Sequence, residues 1–96
     1  MNVVTNNATD VTNTGVTLNG AVTDIGGEAS VGVFFKYGTD AGLDPYTTTA
    51  KKVQSTVGVF NADINGLVTG IPYYFQACAT TATGVVCGDI VSFVPG

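Results

Sequence analysis
Cys78 and Cys87 are the residues of this 96-residue chain whose type and spacing define a chemistry. They flank Thr81-Ala82-Thr83-Gly84, a run that reads as the tip of a hairpin. With the tip at 81–84, Thr80 faces Val85, Ala79 faces Val86 and Cys78 faces Cys87. Directly opposed residues of an antiparallel pair lie ~4.5–5.5 Å apart at Cα, within reach of a disulfide. Closing so short a loop contributes about 2.5–3 kcal/mol of chain entropy, which trims a hairpin rather than holding a domain together. The competing reading is two free thiols, as in a reducing compartment. Two cysteines with no histidine fall short of a zinc ligand set.

Little else points to reaction chemistry. Histidine, the commonest general base and metal ligand, is absent. Ser30, Ser55 and Ser92 have no base to activate them, and no glycine-rich phosphate loop precedes a helix. The carboxylates Asp10, Asp24, Glu28, Asp40, Asp44, Asp63 and Asp89 are scattered. Asp24 with Glu28, or Asp40 with Asp44, is spaced to hold calcium weakly, but a turn-forming role suits these positions better. A lysine–asparagine isopeptide bond needs a buried lysine beside an acid. Lys36 reads as outward and Lys51-Lys52 as part of a polar strand. Asn7-Ala8-Thr9 is a formal glycosylation sequon of a kind that arises by chance in an Asn/Thr-rich chain. The expectation is a chain with no catalytic, cofactor or metal residues, and not an enzyme.

The elements that position the cysteines are β-strands. Valine, threonine and glycine dominate, which suits pleated half-buried positions and turns. Residues 15–23 alternate cleanly, with Val16, Leu18, Gly20 and Val22 on one parity. Residues 30–37 place Val31, Val33, Phe35 and Tyr37 inward, and 57–64 do the same with Phe60, Ala62 and Ile64. Residues 73–80 put Tyr73, Phe75, Ala77 and Ala79 on the core face and Tyr74, Gln76 and Cys78 on the other. A ragged edge strand is predicted over 3–11, a polar edge strand over 46–55 and a last strand over 85–94. One conflict arises. If Cys78 and its partner Cys87 both point outward, regular alternation also turns Val91 and Phe93 outward. An extra residue near Gly88, a β-bulge, restores them to the core.

Leu67, with Gly70 and Pro72 before Tyr73, resembles the tyrosine corner of Greek-key sandwiches, in which the phenol bonds back to upstream backbone. The prediction is all-β: an immunoglobulin-like sandwich of about seven antiparallel strands in two sheets, one domain over residues 1–96. The ends fit so closely around it that excision from a larger protein is expected, with Met1 added as a start.

Nearly the whole chain resembles the fibronectin type III-like domains of bacteria and archaea. The likeness rests on Ala8-Thr9-Asp10-Val11-Thr12, Thr14-Gly15-Val16-Thr17-Leu18-Asn19-Gly20 and Phe35-Lys36-Tyr37-Gly38-Thr39, then Gly66-Leu67 through Tyr73-Tyr74-Phe75-Gln76-Ala77 and Gly88-Asp89-Ile90-Val91-Ser92-Phe93. Two departures separate it from the animal pattern. Gly20 and Val22 stand where many such domains carry a tryptophan, and Thr69 stands near the usual proline after the corner leucine. The resemblance implies a bead in a secreted or cell-surface protein, whose partners are the neighbouring domains of its own chain.

In that architecture the strands over 30–37, 73–80 and 85–94 share a sheet whose outer face carries Phe34, Lys36, Tyr74 and Gln76. Phe34 and Tyr74 are expected as exposed neighbours, a candidate binding face for a protein or glycan ligand. A net charge of −4, with three lysines and no arginine, argues against nucleic acid and anionic membrane surfaces. No apolar run is long enough to insert in a bilayer. Two functions compete: a non-catalytic spacer, adhesion or accessory module, and a self-associating subunit of a filament, S-layer or virion. The second is motivated by a mean hydropathy of +0.35 with few charges.

Overall fold
The structure is a computed structural model that describes residues 2–43, 46–81 and 84–96. Its elements are all strands: β1 (Asn2–Thr5), β2 (Val16–Asp24), β3 (Val31–Gly38), β4 (Thr47–Thr48), β5 (Lys52–Gln54), β6 (Gly58–Ile64), β7 (Tyr73–Thr81) and β8 (Gly84–Phe93). They form two antiparallel sheets. One has the order β1-β2-β6; the other has the order β4-β3-β7-β8, with β5 also paired to β3. This is an immunoglobulin-like, fibronectin type III-like sandwich.

Alternation decides what each sheet buries. Val16, Leu18 and Val22 of β2 meet Val31, Val33 and Phe35 of β3 and Phe75, Ala77 and Ala79 of β7, all buried. Phe35 lies at the centre, with ring centroids 5.0 Å from Phe60 and 6.2 Å from Phe75. Complete burial of Phe35 and Phe75 makes each worth about 3–5 kcal/mol against alanine. Gly20 lets the sheets approach, because a Cβ there would lie 2.5 Å from that of Ala77. No tryptophan fits at that point of β2.

Two expected strands are divided. The ladder over 3–11 ends at Thr5 and returns only as a single bridge, Thr9 to Thr17. The strand over 46–55 is split because residues 49–51 oppose only residues 34–35 of β3. Thr49 bridges the gap. Its N–H donates to the Phe35 carbonyl at 2.9 Å, and its hydroxyl accepts the Phe35 N–H at 2.9 Å. As neighbours on an extended segment, the adjacent lysines point to opposite faces. Lys51 lies over the Phe34 ring, and Lys52 reaches the Asn61 carbonyl of the other sheet.

Candidate functional site
The β7–β8 register sets the site. Cys78 opposes Cys87, and the two are joined by a disulfide with Cα atoms 4.0 Å apart. Ala79, Thr80 and Thr81 oppose Val86, Val85 and Gly84; the hairpin-tip residues Ala82 and Thr83 lie outside the described residues. On the other side of the disulfide, Gln76 opposes Ile90, so Ala77 alone faces Gly88 and Asp89. This two-against-one count is a bulge. It returns Val91 and Phe93 to the core side, where Phe93 packs 5.9 Å from Phe75 and 5.7 Å from Tyr73.

A bulge leaves ladder groups unpaired, and two of those here have other partners. The Ala77 N–H donates to Thr5 Oγ1 of β1 at 3.1 Å. The Gly88 carbonyl accepts from Gln76 Nε2 at 2.8 Å. Gly88 permits the crossing, because a Cβ there would lie 2.8 Å from both the nitrogen and Oγ1 of Thr5. The bulge therefore seals the β1–β8 side of the sandwich.

The expected binding face is redrawn by these contacts. Phe34 is not exposed: it is 6% accessible, sits opposite Cys78, and has the Lys51 ammonium 5.6 Å from its ring centroid. Phe34 and Tyr74 are not neighbours, since Tyr74 opposes Gly38 and the Lys36–Gln76 pair lies between them. Gln76 is committed to the bulge. Lys36 and Tyr74 stay half-exposed. Parity assigned these side chains to a face but not what covers them. Tyr46 was missed. It is 49% exposed, and the Lys36 ammonium stands 4.7 Å from its ring centroid.

Tyr73 and Leu67 meet at the corner. Leu67 is buried, and the Tyr73 hydroxyl accepts the Val68 N–H at 2.9 Å. Gly66 and Gly70 take φ of 79° and 81°, the left-handed region that glycine enters without a side-chain penalty. The acidic positions form turns. Asp24 accepts the Gly26 N–H and Asp40 the Gly42 N–H, each at 2.8 Å; Asp44 lies outside the described residues. Among the described residues, no three of His, Cys, Asp and Glu gather into a metal-binding group.

A sandwich with this topology, corner and bulged hairpin is of the fibronectin type III-like class, and solved structures share the fold. The sensor domain of the anti-sigma factor RsgI4 of Pseudobacteroides cellulosolvens superposes with a TM-score of 0.83 at 15% identity, over 98% of this chain and 92% of that one. The fibronectin type III domain of human KIAA0970 protein gives 0.70 at 14% identity, over 98% and 72%. The domain of human fibronectin type III domain containing protein 3 gives 0.68 at 13%, over 97% and 83%. At such identities the likeness is one of fold. No family's sequence profile matches the chain, and no curated protein matches it.

Proposed function
We propose that this chain is a non-catalytic binding or spacing module, one domain of a larger secreted or cell-surface protein. The observation that carries the reading is how the structure treats its sheet edges. Exposed edges invite strand addition between copies. Here β1 and β8 close on each other at Thr5 and Gly88. The β6 edge has Gln54 Nε2 on the Gly58 carbonyl at 3.1 Å and Lys52 Nζ on the Asn61 carbonyl at 3.5 Å. The remaining edge is split into β4 and β5, of two and three residues. These features suit a domain that stays a monomer beside covalently linked neighbours.

Three further facts support the reading. The structures that share its fold include a sensor domain and fibronectin type III domains, which are parts of longer proteins by their descriptions. The Cys78–Cys87 disulfide suits an oxidising compartment. The outer sheet offers Lys36, Tyr46 and Tyr74 to a protein or glycan partner. Sedimentation velocity over a wide concentration range tests the proposal against the self-associating subunit. A single monomeric species at the highest concentration is expected, and reversible or filamentous assembly overturns it.

A further inference from the structure
Three tyrosines far apart in sequence converge where β3 ends and β7 begins. Tyr37, Tyr46 and Tyr73, with Gly38, Thr39 and Thr47, line a cleft of about 280 Å³. From its lining we infer that this cleft is a subsite for one unit of a neutral saccharide. The inference deepens the module reading above and rests on it.

The cleft is built before any ligand arrives. Tyr73 is fixed at both ends, its hydroxyl by the Val68 N–H and its ring by stacking on Phe93 at 5.7 Å. Tyr37 packs against the core and pairs with Thr47 of β4. Tyr46, the exposed wall, has the Lys36 ammonium 4.7 Å from its ring centroid. Rings held in place cost a ligand less to engage than rings that must be ordered on binding.

The lining selects the class of ligand. Among the described residues none of the six that line the cleft is charged, and the nearby Lys36 ammonium is held over the Tyr46 ring. Its surface mixes aromatic faces with phenol and threonine hydroxyls. An aromatic face is negative and attracts the weakly positive C–H groups of a pyranose, while hydroxyls meet the sugar's hydroxyl rim. The volume falls just below the range of ligand pockets, about 300–1,000 Å³, which suits a single ring. An extended peptide would instead need a length of sheet edge to pair with, and the edge here is β4, which is only two residues long.

The test is a two-dimensional amide NMR titration of the oxidised protein with cellotetraose, xylotetraose and maltotetraose at millimolar concentration. At least one sugar should give saturable shifts centred on Gly38, Thr39 and Thr47. Tyr46→Ala, a change at an exposed ring, should weaken that binding about tenfold. Val53→Ser, at an exposed position of β5, should leave it unchanged. The inference is overturned by an absence of shifts with all three sugars, by shifts centred elsewhere, or by unchanged affinity in Tyr46→Ala. An absence of shifts would leave a protein partner as the reading for these tyrosines, with the module proposal intact. Cleavage of a sugar during the titration would instead sink the non-catalytic reading.

Discussion

Gly88→Ala should destabilise the domain by about 3 kcal/mol, although it adds one methyl group to a residue with ordinary backbone angles. The new Cβ would lie 2.8 Å from the nitrogen and Oγ1 of Thr5 and 3.0 Å from the Val3 carbonyl oxygen. Two of these atoms are backbone held in the β1–β2 ladder, so no side-chain rotation relieves the clash. Forcing a methyl into a packed seam costs about 1–3 kcal/mol. Moving β1 away breaks the bond from the Ala77 N–H to Thr5 Oγ1 and leaves a partly buried donor unpaired, for about 1–3 kcal/mol more. The smaller entropy of the unfolded alanine chain offsets about 0.4–1 kcal/mol. Urea unfolding followed by far-UV circular dichroism reads the change. At ~1–1.5 kcal/mol per molar urea, the midpoint should fall by about 2–3 M. Thr5→Val removes the acceptor without the clash and should cost about 1–2 kcal/mol. The double variant should cost less than the sum, because both changes remove the same hydrogen bond. A Gly88→Ala protein within about 0.5 kcal/mol of the parent would refute the seam.

Three further outcomes follow from the same geometry. Gly20→Ala should cost about 1–3 kcal/mol in the same unfolding assay, and Ala77→Gly in the same chain should recover part of it, because the two Cβ positions compete for one space. Reducing the disulfide should lower stability by about 2.5–3 kcal/mol while far-UV dichroism stays β-type, since the bond closes a short loop in a domain that has its own core. Lys52→Ala combined with Gln54→Ala uncovers two carbonyls of the β6 edge and should introduce concentration-dependent association detectable by sedimentation.

The sequence made the sandwich legible because the strongest signals were local. The alternation of 16–22 and 73–79 predicts the two inner faces, and those residues form the core. The bulge followed from a conflict of parity between the cysteines and Phe93, which a single extra residue resolves. What stayed hidden depends on neighbours that parity does not see. Phe34 was assigned to the right face, yet the Lys51 chain and the facing cysteine cover it. The division of 46–55 depends on Thr49 substituting its hydroxyl for a backbone acceptor, and threonine at an edge gives no warning of that. The tyrosine cleft draws on three separate segments, and only the β3–β4 and β3–β7 registers unite them. The signal that could have found Tyr46 is its place before the strand that pairs with Lys36 and Tyr37.

The β7–β8 register bears most of this account, because it fixes the bulge, the Thr5 contact, the burial of Phe34 and the inward turn of Phe93. Its most direct test is the intact mass of the protein after equilibration with oxidised and reduced glutathione, measured denatured and unreduced, with a peptide map across residues 78–87. The account predicts a mass two hydrogens below the reduced chain, no alkylatable thiol, and a single cross-linked fragment joining Cys78 to Cys87. Two thiols that remain alkylatable in the folded protein under these conditions would contradict the register, and with it the assignment of the outer face.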